Sequence, residues 1–85
     1  MPSRSVRVGS ALGLHARPAA VIAARATQLA APVTLAVRGE PAVDAASALM
    51  IMTLGADRDE VVEVSSDDGE ALDVVAALVA TDLDG

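Results

Sequence analysis

Gly13-Leu14-His15-Ala16-Arg17-Pro18-Ala19-Ala20 is the stretch where this chain turns from strand into helix, and it holds the only histidine of 85 residues. Glycine favours a bend just upstream, and proline, with no N–H and a fixed φ, suits the first turn of a helix. A helix is therefore predicted to begin within Ala16 to Pro18. The first N–H groups of that helix, those of Ala16 and Arg17 among them, lack intrahelical partners, and the helix dipole adds partial positive charge beside His15. This is an anion site. The planar guanidinium of Arg17 matches phosphate oxygens, so a phosphoryl group on an imidazole nitrogen of His15 would meet backbone donors and a cation. The chemistry that fits is phosphoryl transfer through histidine, with His15 and Arg17 as catalytic groups and Ala16 and Arg17 binding the phosphate.

Upstream, Ser5 to Val8 alternates with Val6 and Val8 on one side, the period of a half-buried strand. Downstream, Ala19, Ile22, Ala23, Ala26 and Leu29 recur at helical spacing and leave Ala20, Val21, Ala24, Arg25 and Gln28 outward. Pro32 ends that helix. Val33, Leu35 and Val37 alternate in a second strand, Gly39-Glu40-Pro41 turns the chain, and a short return strand is predicted over Pro41 to Asp44. Ala46 to Leu54 reads as one short helix with Ser47 as its N-cap and Gly55 as its stop. Glu60 to Ser65 reads as a further strand carrying Val62 and Val64 inward. Asp67, three residues before Glu70, is close to a capping box for a last helix over about Glu70 to Ala80, with Ala71, Leu72, Val75, Leu78 and Val79 inward. The tail from Thr81 to Gly85 is expected to fray.

The resulting order, β-α-β-β-α-β-α, with one apolar face per strand, predicts an α+β fold. It is an open-faced β-sandwich: a four-stranded antiparallel sheet covered on one face by three helices. Residues 1–85 form a single domain, since no repeat or linker divides them. A domain of this size buries only about 60–65% of its unfolded surface, so chemistry belongs on the surface and not in a deep cleft.

Composition narrows the function classes. There is no cysteine and a single histidine, so no disulfide, no thiolate metal site and no zinc cluster is expected, nor any cofactor. Phe, Tyr and Trp are absent and the net charge is −6, which argues against stacking on single-stranded nucleic acid and against phosphate backbones. No run of about 18 apolar residues exists and the opening Met1 to Ser5 lacks the apolar region of a signal peptide, so the expectation is a cytoplasmic monomer without membrane insertion. Charge is unevenly placed. Residues 1–56 carry five arginines against Glu40 and Asp44, a net +3, whereas residues 57–85 carry Arg58 against ten acids, a net −9. His15 lies in the positive half.

The octapeptide GLHARPAA resembles the active-site signature of the HPr family, the histidine-containing phosphocarriers of the bacterial sugar phosphotransferase system. The likeness continues through chain length, element order and the segment Ala46 to Gly55, and so spans nearly the whole chain. It implies the open-faced sandwich. It also implies that His15 accepts phosphate from phosphorylated enzyme I, with phosphoenolpyruvate the ultimate donor, and passes it to sugar-specific enzyme IIA proteins. Such a chain is a carrier with a covalent phosphohistidine intermediate and no turnover of a small molecule of its own. Transcriptional or metabolic regulators are further partners that the resemblance implies. Ser47 aligns with the serine that a kinase phosphorylates in some members; the residues alone, with no cation nearby, favour an N-cap and nothing more.

The second helix is unusually apolar for its exposure. If Ile51 and Leu54 face the core, Ala48, Leu49 and Met52 lie outward near His15 and form a partner-binding patch with Ala20, Val21 and Ala24. The alternative is that Leu49 and Met52 pack into the loop before His15. Many family members carry lysines on this surface, and this chain has none. Two other functions compete with the carrier. One is an HPr-like regulatory phosphoprotein that signals carbon or nitrogen status without feeding transport. The other is an acyl-carrier-type protein, which the missing Asp-Ser-Leu motif and the strands disfavour.

Overall fold

A computed structural model describes residues 2–83. Seven elements follow the predicted order: β1 Ser3–Arg7, α1 Ala16–Ala26, β2 Val33–Val37, β3 Val43–Asp44, α2 Ala48–Thr53, β4 Val61–Ser66 and α3 Gly69–Ala80. The strands form one sheet in the order β1-β4-β2-β3, with every pairing antiparallel. The three helices cover one face, as in other open-faced sandwiches; α3 lies on β1 and β4, and α1 packs against both α2 and α3.

Register explains which side chains meet the helices. Val62 pairs with Val6 on one side and Val37 on the other, and Val64 lies between Arg4 and Leu35. Side chains two apart share a sheet face, so these rows point inward, and Val62, Val64 and Leu35 are fully buried. Ile22, Ile51, Val75 and Val79 close over them from the helices. Arg4 takes an inward-row position at the sheet edge, where its guanidinium reaches Asp73 of α3 at 2.6 Å. Both side chains are more than half exposed, so the pair contributes at most about 1 kcal/mol.

The helical stripes run as their spacing predicts. Ala19, Ile22, Ala23 and Ala26 are buried on α1 while Ala20, Val21, Ala24 and Arg25 are exposed, and Pro18 is buried as well; the helix ends at Ala26, short of the predicted extent, so that the exposed Gln28 and half-buried Leu29 lie in the turn that follows. On α3, Ala71, Leu72, Val75 and Val79 are buried together with Ala76, and Leu78 is half-buried.

Four local expectations need correction. The first strand covers Ser3–Arg7 and not Ser5 to Val8: Val8 leaves the ladder, donates its N–H to Glu60 O at 3.0 Å and is buried where the chain turns toward the helices. The return strand shrinks to Val43–Asp44, because Pro41 cannot donate to a ladder. The second helix starts at Ala48, two residues later than the pattern gave, because Asp44 Oδ1 accepts from Ala46 N at 2.9 Å and holds that turn outside the helix. The cap of α3 is Asp68, not Asp67. Ser66 Oγ accepts the Asp68 N–H at 3.2 Å and holds Asp68 extended at the helix entrance, where its carboxylate accepts from Glu70 N at 2.9 Å. The tail also departs from expectation as far as Leu83, which is tied back to the body of the protein. Asp84 and Gly85 lie outside the described residues.

Two neighbouring substitutions on α2 test this packing. Ile51 is fully buried whereas Leu49 is 69% exposed. Leu49→Asp should change stability by no more than about 0.5 kcal/mol, since it alters a surface side chain; Ile51→Asp buries an unpaired charge and should cost more than about 4 kcal/mol. Thermal melts followed by circular dichroism read both, and a large loss for Leu49→Asp would contradict the packing.

Candidate active site

The loop from Val8 to Leu14 is held by backbone bonds to elements distant in sequence. Gly9 N donates to Val79 O at 3.0 Å, and Gly13 N donates to Ser10 O at 3.0 Å and closes a turn. Leu14 N then donates to Ala56 O at 2.9 Å. Gly13 has φ +80, a conformation L side chains rarely adopt, and a Cβ there would run into the Ala56 carbonyl. Leu14 is buried against the core. The next residue emerges as the N-cap of α1.

That residue is His15. Its backbone is extended, at φ −82 and ψ −164, its imidazole makes no capping hydrogen bond, and its carbonyl accepts the first helical bond, from Ala19 N at 3.0 Å. Pro18 contributes no N–H at the third helical position, so the amide donors of this first turn are those of Ala16 and Arg17. Both residues are exposed, and no acidic residue stands in the turn to oppose an anion. His15 is half-buried. It borders a shallow hollow of about 310 Å³ with Leu12, Leu14 and Ala16 on one side and Met52, Gly55, Ala56 and Asp57 on the other. The hollow thus lies between the start of α1 and the end of α2. Gly55, at φ +62, follows the C-cap Leu54 and turns the chain there.

Of the predicted patch, Met52 alone lines this hollow. Ala20, Val21 and Ala24 are exposed on α1, and Leu49 is exposed and Ala48 half-buried on α2, the helix against which α1 packs. At 69% exposure Leu49 is not packed into the loop before His15, whereas Met52, 38% exposed, does border that loop. Ser47 caps α2: its Oγ accepts from Met50 N at 3.2 Å.

Three exposed residues escaped the sequence reading. Leu12, in the loop, is 75% exposed and apolar, and Asp57 lines the hollow, whereas Met50, 42% exposed on α2, lines a separate hollow with Val37, Arg38, Pro41 and Val43. Helical spacing could have pointed to Met50, next to Leu49 on a six-residue helix. Neither Leu12 nor Asp57 lies in a periodic segment. Among the described residues no three His, Asp or Glu side chains are grouped to hold a metal ion, and no helix is long and apolar enough to cross a membrane.

Comparison with known proteins gives a consistent family. The model of the family described as the PTS HPr component phosphorylation site matches residues 2–81. The phosphocarrier protein HPr of Streptomyces coelicolor is 44% identical over 87 residues, which cover 99% of this chain and 94% of that protein. Among solved structures, a phosphocarrier protein HPr from Bacillus anthracis superposes with a TM-score of 0.83 at 30% identity, over 92% of this chain and 95% of the other. HPr from Thermoanaerobacter tengcongensis gives 0.83 at 29% identity, over 93% and 91%.

The tether at Gly13 can be weighed by a pair of variants. Gly39 has a similar φ, +83, but open space where a Cβ would stand. Gly39→Ala should cost only the left-handed backbone strain, about 1 kcal/mol, whereas Gly13→Ala adds the collision with Ala56 and should cost clearly more, about 2–4 kcal/mol. Urea denaturation measures both, and equal losses would mean that the close approach to Ala56 is not a constraint.

Proposed function

The chain belongs to the HPr family of phosphotransferase-system phosphocarriers, and on that premise we propose that His15 accepts a phosphoryl group from phosphorylated enzyme I and passes it to enzyme IIA proteins in sugar uptake. The observation that carries this reading is the position of the histidine. It is the N-cap of α1, on an open hollow, with the exposed Ala16 and Arg17 forming the first turn.

In the reaction an imidazole nitrogen lone pair of His15 attacks phosphorus. The new N–P bond forms as the bond between phosphorus and the donor breaks, and the bonding electron pair leaves with the donor. The reverse sequence on the next acceptor returns His15 to its free form. Charge spreads over the three equatorial oxygens in such a transfer. Preorganised amides of Ala16 and Arg17, the dipole of α1 and the Arg17 guanidinium stabilise that charge without any rearrangement of the fold. Because the hollow is shallow, the partner protein must exclude water, and the apolar side chains around it serve that contact.

Leu49, Met52, Val21, Ala20, Ala24 and Ala48 are the partner-binding surface in this reading. Apolar area replaces the lysines that many relatives use, with Arg17 and Arg25 the cations on α1. Ser47 keeps the role of helix cap, its Oγ accepting from Met50 N, with Asp44 in the turn before it. The cytoplasm, where phosphoenolpyruvate and enzyme I occur together, is the setting this reading requires.

Reconstitution with enzyme I, phosphoenolpyruvate and an enzyme IIA tests the proposal. Intact-mass measurement should show one phosphoryl group on the wild-type chain and none on His15→Ala, and the label should move to enzyme IIA. Undiminished label in His15→Ala would overturn the assignment, and a label that never leaves for enzyme IIA would favour a regulatory phosphoprotein instead. Arg17→Ala should keep the wild-type melting temperature but slow transfer about a hundred- to a thousand-fold, the scale for losing one group that stabilises developing charge. Equal rates in rapid-quench experiments would remove Arg17 from the mechanism.

A further inference from the structure

Ser10 is a polar side chain with no exposed surface at all, five residues before His15. Its Oγ accepts from Leu83 N at 3.2 Å and points its own hydroxyl at Thr81 O, 3.5 Å away. Its carbonyl accepts the Gly13 N–H that closes the turn leading into Leu14 and His15. Beside it, Gly9 N is bound to Val79 O, and a Cβ on Gly9 would collide with the Ala80 carbonyl. One residue thus connects the end of α3 to the turn that delivers the histidine. The α3 side of the connection is firm, since Val79 is fully buried, Thr81 N donates to Leu78 O at 3.2 Å and Thr81 Oγ1 donates to Ala77 O at 2.6 Å. Leu83 itself is half-buried against the core.

A buried hydroxyl in this place is costly unless it is satisfied, and an alanine would fill nearly the same space without that demand. What the hydroxyl adds is a fixed orientation for the Ser10–Gly13 turn. Between the anchors at Ser10 and Gly13, Ala11 and Leu12 are exposed, so neither is packed to hold the turn. We propose that Ser10 is a positioning residue for His15, and that residues 81–83 set the geometry of the phosphoryl-transfer site through it; this rests on the reading of His15 given above.

Two single variants and their combination test the coupling. Ser10→Ala removes the hydroxyl, and Leu83→Pro removes the N–H that the hydroxyl accepts while keeping a chain there. Melting curves fix a temperature at which every variant is folded. At that temperature, transfer from phosphorylated enzyme I should show a kcat lowered about three- to ten-fold, on the scale of small misplacements of a reacting group, with KM for the carrier changed less than kcat because no contact side chain is replaced. The ring C–H resonances of His15 in the unphosphorylated protein should shift or broaden in both single variants. The double variant should be no worse than the weaker single one, since both break one link.

Lowered melting temperatures with unchanged kcat and unchanged His15 resonances would overturn the proposal and leave Ser10 a structural hydroxyl. Additive effects would also overturn it, because the tail and Ser10 would then act separately. The resonance measurement needs no partner protein. A wild-type chain that takes no phosphate on His15 would therefore sink the carrier reading, while the spectra still decide whether Ser10 positions the ring.

Discussion

The hydrogen bond from Leu14 N to Ala56 O, with Gly13 lying in the left-handed region against the same carbonyl, is the contact on which the site depends. It fastens the approach to α1 onto the loop that leaves α2. It adds a backbone link to the packing of α1 on α2, two elements that belong to different halves of the chain. The buried Leu14 then brings the chain out of the core one residue before the cap, so the histidine is presented at the surface by a backbone whose neighbours on either side are held. The transfer proposed for His15 calls for this combination of exposure and rigidity.

Electrostatics follow from the same placement. A helix that starts with an imidazole and an arginine, with no carboxylate in its first turn, presents donors and positive potential in one direction. Asp57 on the far rim of the hollow sets a limit to that field, and the acids that dominate the second half of the sequence belong mainly to β4, α3 and the loops next to them. Beside the histidine the hollow carries the apolar Leu12 and Met52, and Val21 and Leu49 are exposed on α1 and α2.

How much of this was legible in the sequence depends on the kind of signal. Periodicity is a local property, and it located α1, the inward rows of β2 and β4 and the stripe of α3 down to single residues such as Ile22, Leu35 and Val75. Gly13 and Pro18 bracketed the helix start because both act through their own backbone. Contacts between distant loops leave no such trace. Nothing next to Ser10 announces that Leu83 will reach it, nothing near Asp57 announces His15, and Leu12 looks like an ordinary core residue until the turn carries it outward. The same reason accounts for the cap of α3, where Ser66, fixed by the sheet and by Pro32 O at 2.8 Å, selects Asp68 over Asp67. The helix start and Arg17 pointed to the chemistry of the histidine, and the family resemblance added the partners that periodicity could not.

The most direct test of the central claim is the chemical nature of the phosphorylated residue, read by phosphorus NMR on the chain after incubation with enzyme I and phosphoenolpyruvate. The account predicts a single phosphoramidate resonance that survives base, disappears in acid and is absent from His15→Ala. A resonance that survives acid and persists in His15→Ala would be a phosphate ester on a hydroxyl such as that of Ser47, and would contradict it.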